Sequence, residues 1–423
     1  MIKLVVLITI YFTVPLLIIY LCKRWSFFKR LGSIVIAYAF GLILGSSGIL
    51  PTGSENYYLA LKDDISISKE KLDSLLASGT ITDEDVLVNS IRGIQDMLIT
   101  IVIPLAYPLL LFSLNVRKWL RYAKAGFISM FLALISIIII LGSGYFMFRN
   151  VVPDSWKVAG MLVGVYTGGT PNMASLSVAL NVDPNLFLMT NTYDIIIGAI
   201  TLIFFISAAP KVFRAILPPF RFLGETSDTD QAIEEARSFE DFSGIFKKKR
   251  LLPLAGALGV SLLIAGISAG IASLVPREAF MPVVILSITS LALIGSLIPR
   301  LNRIEKTFQL GMYFVLVFSF VFASIANITE IFSAGYLGLL AYVLYAYFGS
   351  LLLHLLLSRI FRVNADDYLI TTTAFIYSPP FVPVIAAALK NKEVIITGIT
   401  VGIIGYVIGN YMGVGLGYFL KGF

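Results

Sequence analysis

Apolar runs long enough to cross a bilayer recur along this whole chain, and that recurrence limits its fold more than any other feature. About 20 apolar residues in a helix span the hydrocarbon core. Twelve such segments are read, at roughly 4–22, 31–50, 98–114, 125–148, 156–180, 186–207, 251–274, 280–298, 308–326, 332–357, 368–389 and 394–419. With 58% hydrophobic and only 13% charged residues, the chain lies outside soluble usage. The expectation is an all-α, polytopic membrane protein with about 12 transmembrane segments. Residues 4–22 are followed by Lys23-Arg24 with no small-residue cleavage site, so they read as a retained first helix and not a signal peptide.

Lys and Arg sit in short loops beside the apolar segments, which is how positive charge sets membrane topology and not how a nucleic-acid surface looks. Lys23, Arg24, Lys29 and Arg30 fill the first loop, and Arg117, Lys118, Arg121 and Lys124 fill the third. Arg300, Arg303 and Lys306 follow the eighth segment, and Arg359 and Arg362 follow the tenth. All are assigned to the cytoplasm. The loop 51–97 holds nine acids against four bases and is assigned to the outside, with room for an amphipathic helix around Ser66–Leu76.

Residues 208–250 form the longest polar linker, with basic ends that place it in the cytoplasm. It divides the chain into a first membrane half, 1–207, and a second, 251–423. One conflict remains. If 149–157 lies outside, two full crossings return the chain outside at 208, where the charges say inside. Either one segment between 156 and 207 does not cross fully, or the count of segments is off.

Two apolar segments are interrupted. Thr167-Gly168-Gly169-Thr170-Pro171-Asn172-Met173-Ala174-Ser175 breaks 156–180, and Tyr377-Ser378-Pro379-Pro380-Phe381-Val382-Pro383 breaks 368–389. Proline removes a backbone donor and glycine loosens the helix. Unwound backbone at membrane depth persists only where protein buries it or water reaches it. Paired Gly/Pro-broken segments in matching places of two halves point to a transporter's binding site. The charges put the start of the first break outside and that of the second inside, the relation expected of inverted repeats. Gly168, Gly169, Thr170, Asn172, Ser175, Ser378 and Asn410 are the candidate substrate-binding residues. The plainer alternative is that these hydroxyls and amides only re-satisfy broken backbone.

Asp194 is the sharpest single signal, a carboxylate well inside 186–207. Charge at that depth costs several kcal/mol unless it is paired, protonated or hydrated. Thr190, Asn191, Asp194, Gly198 and Thr201 form one polar stripe on a helix otherwise made of Ile, Leu and Phe. Asp194, with Asn191 and Thr190, is the candidate ion-coupling site, expected to face Thr170–Asn172. Na⁺ at Asp194 is the one metal this pattern suggests, and no other cofactor is expected. The alternative is a structural clamp on the unwound backbone. Asp366 and Asp367, at the start of the second broken segment, read as solvated. His354, in a Leu-rich run, reads either as a proton relay or as a neutral helix contact. Gly405, Gly409, Gly413 and Gly417 recur every four residues, as do Gly41 and Gly45, a spacing that lets helices pack closely.

Together the Thr167–Ala174 stretch, the helix bearing Asp194, His354 among leucines, and the closing Gly402-Ile403-Ile404-Gly405-Tyr406-Val407-Ile408-Gly409-Asn410 resemble the YjcL-like bacterial membrane-protein family, which has no assigned function. The resemblance covers nearly the whole chain. It departs at the second break, where Tyr377-Ser378-Pro379-Pro380-Phe381-Val382 stands in place of the usual Gly-Gly-Pro-Ala-Thr-Ala. More distantly, the layout is similar to sodium-coupled carriers with two broken helices crossing at mid-membrane. That similarity implies transport but no substrate.

No Walker loop, GxGxxG after a strand, HExxH or Cys/His cluster is present in the sequence, so an enzyme is not expected. The preferred reading is a secondary active transporter, coupled to Na⁺ or H⁺, for a small anionic organic solute in the bacterial cytoplasmic membrane, with symport named first and the choice between symport and antiport left open. Its partners are that solute and the lipid bilayer, not nucleic acid, and a homodimer is compatible with it. The alternatives are a cation/proton antiporter with Asp194 as the shared site, and a membrane receptor or scaffold whose breaks only pack helices.

Overall fold

A computed structural model describes residues 2–25, 28, 32–61, 65–114, 126–220, 239, 241–326 and 336–423. Lys29, Arg30, Arg117, Lys118, Arg121 and Lys124, used above for orientation, lie outside the described residues, as do Arg221 and Arg237 of the linker. Every regular element among the described residues is helical. In chain order these are α1 (Ile2–Arg24), α2 (Ser33–Ser46), α3 (Glu55–Leu61), α4 (Lys69–Ala77), α5 (Asp83–Phe112), α6 (Phe127–Phe148), α7 (Ser155–Gly168), α8 (Thr170–Ala179) and α9 (Pro184–Ser207). There follow α10 (Ala209–Ile216), α11 (Lys248–Ala272), α12 (Phe280–Ser296), α13 (Pro299–Asn302), α14 (Thr307–Ile325), α15 (Leu337–Ile360), α16 (Ala365–Ile376), α17 (Val382–Leu389) and α18 (Val394–Lys421).

Nine helices among the described residues are long and apolar enough to span a membrane, where twelve segments were expected. The difference has physical causes. Segment 31–50 yields only the 14-residue α2, and the two broken segments each form a pair of shorter helices. The expected amphipathic helix in 51–97 is α4, and α5 begins at Asp83, well before the apolar run.

The chain separates into two compact units. The first gathers the described residues of Met1–Ala106, Val182–Leu188 and Met312–Ser333. Its polar end is a small helical cap with a core of Tyr57, Leu61, Ile67, Leu72, Ile81 and Val88. Asp85 holds that cap by accepting from the Ser54 and Thr82 backbone amides at 2.6 and 2.9 Å, a reciprocal cap at the start of α5. Within the same unit, a Cβ on Gly41 or Gly45 of α2 would meet the backbone of α14, so this glycine pair serves close packing.

The second unit gathers Tyr107–Asn181, Met189–Gly311 and Ala334–Phe423, and contains both broken segments. Neither crosses as one rod. α7 stops at Gly169 (φ 70°, ψ −163°), and α8 starts there with Pro171 in its first turn, where a missing N–H is harmless. α8 then runs back along α7. Gly164 is pressed against Leu176 and the Asn172 backbone, Gly160 against Leu180, and Lys157 Nζ donates to the Asn181 carbonyl at 3.0 Å.

The second broken segment repeats this design. α16 stops at Ser378 (φ 70°, ψ 165°), a short 3-10 turn Pro379–Phe381 follows, and α17 returns. At its base Asn391 Nδ2 donates to Asp366 Oδ2 at 2.9 Å. Asp366 is fully buried and not solvated as the sequence suggested. Arg214 of α10 supplies the missing partner, gripping both carboxylate oxygens and also donating to the Leu389 carbonyl at 2.8 Å.

α18 holds the two hairpins in place. From its N-terminus, Gly398 faces Ile370 and Val382, and Gly402 faces Pro379 and the Ala374 carbonyl. Gly405 abuts the Thr167 carbonyl, Gly409 abuts Asn172, Gly413 abuts Leu176 and Gly160, and Gly417 approaches Leu180 and the Trp156 carbonyl. The second hairpin therefore lies along the N-terminal part of α18 and the first along its C-terminal part. They come in from opposite ends and meet beside Gly402 and Gly405.

Candidate functional site

The tips touch. A Cβ added to Gly169 would overlap the Ser378 hydroxyl. Both residues have φ near +70° with extended ψ, a conformation that glycine tolerates and serine adopts under strain. Thr170, half-buried, is the first residue of α8 at this junction. Gly168 packs against the Asn172 side chain, and any larger residue would collide with it.

Asn172 is engaged by protein on both sides. Its Oδ1 accepts from the Tyr107 hydroxyl at 2.6 Å, and its Nδ2 donates to the Gly405 carbonyl at 3.2 Å. The Tyr107 hydroxyl also lies 2.7 Å from the Tyr406 carbonyl. Asn172 thus pins the first tip to α18. Ser175 is buried in α8, and its hydroxyl has no protein partner. Asn410 lies on α18 and donates to Thr289 of α12 at 3.0 Å, while its Oδ1 is buried without a partner.

The polar stripe of α9 faces inward, as its spacing predicted. Thr190, Asn191, Asp194 and Thr201 are all buried, while Ile196, Ile200 and Ile203 on the opposite face are 52 to 70% exposed. Tyr166 lies close to Asp194, and Tyr347 and Tyr377 are also within electrostatic reach. The Asn172 side chain, expected to lie before Asp194, is itself engaged by Tyr107 and α18. The Tyr166 hydroxyl and Asp194 Oδ1 fall short of hydrogen-bond geometry, and both are buried with no partner. So are both amide atoms of Asn191, one turn away. No Lys or Arg among the described residues forms an ion pair with Asp194.

Beside the carboxylate, three hydroxyls close a triangle. Thr201 Oγ1 lies 2.6 Å from the Tyr377 hydroxyl and 2.5 Å from that of Tyr347, and the two tyrosines are 2.8 Å apart. The Tyr377 hydroxyl also donates to the Gly198 carbonyl at 3.0 Å. This couples α9, next to Asp194, to the residue preceding Ser378. Sequence reading missed the tyrosines, because an aromatic residue in an apolar run looks like core. The available signal was their place: Tyr166 stands three residues before Gly169, and Tyr377 immediately before Ser378.

The family model described as a protein of unknown function, DUF819, matches residues 75–423. The chain belongs to that family. It is also similar to the uncharacterized membrane protein YjcL of Bacillus subtilis strain 168, 26% identical over 346 residues that cover 78% of this chain and 84% of that one. This DUF819 protein is a multi-pass membrane protein. Its buried oxygens at Asp194, Asn191 and Tyr166 could take a proton or a hard monovalent cation. Among the described residues no group of three or more His, Cys, Asp or Glu is placed to hold a metal ion.

Proposed function

We propose that this DUF819 protein is a secondary active transporter, driven by Na⁺ or H⁺, for a small anionic organic solute. One observation carries the reading: two hairpins from opposite ends of α18 meet tip to tip near a buried carboxylate, Asp194, whose Oδ1 has no hydrogen-bond partner. Membrane proteins tolerate broken helices and buried charge where solute and ion pass. The free N–H groups and positive dipole end of α8 face the junction, which suits an anion.

In this reading each half has five crossings and one hairpin: α1, α2, α5, α6 and α9 with α7–α8, then α11, α12, α14, α15 and α18 with α16–α17. An odd number of crossings inverts the second half relative to the first. The topology conflict then disappears. α7–α8 enters and leaves on the outside, so α9 ends inside, and every basic loop falls on the cytoplasmic face. α16–α17 enters and leaves on the cytoplasmic side.

The test is uptake of a radiolabelled organic-acid, amino-acid and dipeptide panel by proteoliposomes under an imposed Na⁺ or pH gradient. Gradient-dependent uptake of an anionic solute is expected. No gradient-dependent flux of any panel member, with protein that binds none of them in a thermal-shift screen, would leave the scaffold reading in its place.

A further inference from the structure

A cavity of about 320 Å³ opens in the second unit, where the end of α5, the connection from α12 to α14 and the linker residue Phe239 come together. Pockets that take small molecules start at about 300 Å³. In the proposed topology all three elements lie on the cytoplasmic side.

The walls are tied together by specific contacts. Asn302 Nδ2 donates to the Phe112 and Leu114 carbonyls, both at 2.9 Å, which fixes α13 to the end of α5. The rings of Phe239 and Phe308 pack with centroids 4.5 Å apart and give the cavity an apolar side. Phe308 reaches Tyr406 of α18, with centroids 6.3 Å apart. The Tyr406 carbonyl is 2.7 Å from the Tyr107 hydroxyl, which donates to Asn172 of the first hairpin. Phe308 and Tyr406 thus lead from the cavity toward the hairpin junction.

The charge balance favours an anion. Arg303, Glu305 and Lys306 all line the cavity. Glu305 Oε2 accepts from Arg250 Nε at 2.8 Å, and Lys306 pairs with Asp241 at 3.0 Å. Arg303 forms no ion pair among the described residues. A guanidinium is a planar fork that matches a carboxylate. α14 also starts at this wall, with Phe308 and Gln309 of its first turn lining the cavity and no acid in that turn. Its positive end adds to the attraction.

We propose that this cavity is a cytoplasmic binding site for a small carboxylate anion anchored by Arg303, and that it is the inner mouth of the solute path. The place on the path rests on the transporter reading, and the binding does not. The carboxylate lies on the guanidinium and the carbon skeleton against Phe239 and Phe308. A lipid phosphate headgroup shares this chemistry, and the test separates the two.

The experiment places one thiol in the cavity, Ser113→Cys on a Cys22→Ser background, in the full chain held in phosphatidylcholine nanodiscs. Its reaction rate with a negatively charged methanethiosulfonate is read in succinate, in glutamate and in chloride at equal ionic strength. At least one of the two carboxylates is expected to slow the reaction about threefold or more. Adding Arg303→Gln, checked for folding by thermal unfolding, should remove that protection. Arg359→Gln, the same charge change at an exposed position outside the cavity, should keep it. Equal rates in both carboxylates and chloride overturn the site, and protection that survives Arg303→Gln overturns its anchor. Slowing by added phosphatidylglycerol but by neither carboxylate makes it a headgroup site and overturns the proposal. Gradient-driven uptake without protection sinks the cavity alone. Protection without uptake sinks the transporter reading and leaves an anion site.

Discussion

A methyl group on Gly169 would overlap the Ser378 hydroxyl where it now lies, so the two hairpin tips touch at this pair of residues. Replacing Gly169 with Ala should destabilise the protein by about 2–4 kcal/mol, combining a positive φ with an overpacked contact. Thermal unfolding in detergent measures this. A loss under about 0.5 kcal/mol would mean the tips are not in contact.

Ser378 carries strain of its own, because its φ of 70° and ψ of 165° belong to a region populated almost only by glycine. Glycine is also what the family pattern resembled by this sequence places there. Ser378→Gly should raise stability by about 1–2 kcal/mol, and should offset part of the loss in Gly169→Ala when the two are combined. Strict additivity of the two changes would show that the residues do not interact.

Asp194→Asn keeps the shape and removes the charge. The variant should fold, and its melting temperature should no longer respond to the Na⁺ or pH changes that shift the wild type. The measurement is the melting temperature of both proteins across a Na⁺ titration at two pH values. Parallel curves would reduce Asp194 to a structural clamp.

Arg214 is 43% exposed while its partner Asp366 is fully buried. Arg214→Ala leaves that carboxylate without its main partner at the base of the second hairpin. Breaking a buried pair costs about 3–5 kcal/mol, and the exposure of the arginine lowers the expectation to about 1–3 kcal/mol. Arg214→Lys should recover part of it, since a point charge cannot grip both oxygens. Wild-type stability in Arg214→Ala would show that Asn391 alone satisfies Asp366.

At the linker, hydrogen bonds from Ser243, and then from Lys306, hold the Asp241 carboxyl down at about 2. A carboxyl with a depressed folded value adds stability above its unfolded value of about 3.9. That contribution falls away as pH drops through the folded value near 2. Between pH 5 and 2 the wild type should lose more stability than Asp241→Asn. Identical acid profiles would show that the Asp241–Lys306 contact does not form in solution.

The sidedness of the hairpins is checked on a Cys22→Ser background, Cys22 being the single cysteine. Pro153→Cys and Lys392→Cys flank the first and second hairpins at exposed positions. Pro153→Cys should react with an impermeant thiol reagent from outside intact cells, and Lys392→Cys only after permeabilisation. Reaction of both from one side would remove the inverted arrangement.

Both breaks were legible in the sequence because Gly168-Gly169 and Pro379-Pro380 violate what a lipid-facing helix needs. The inward stripe of α9 was legible because its polar residues keep a helical period. The return of α8 along α7 was not, since hydropathy is the same for a rod and a hairpin; only the mismatch of loop charges near 208 hinted at it. The hold on Asn172 was not legible, because its partner Tyr107 lies 65 residues away in sequence. Asp366 looked solvated for the same reason: its partner Arg214 comes from a linker helix 152 residues earlier.

Glycine along α18 has a mechanical consequence. Where side chains interlock, one helix can shift against another only by withdrawing knobs from sockets. At Gly398, Gly402, Gly405, Gly409 and Gly413 α18 offers no knobs, and the hairpins rest on nearly bare backbone. The knobs come from the hairpins instead: Val382 seats at Gly398, Pro379 at Gly402, Asn172 at Gly409 and Leu176 at Gly413. A side chain added to α18 at any of these places would lift a hairpin off the helix that seats both.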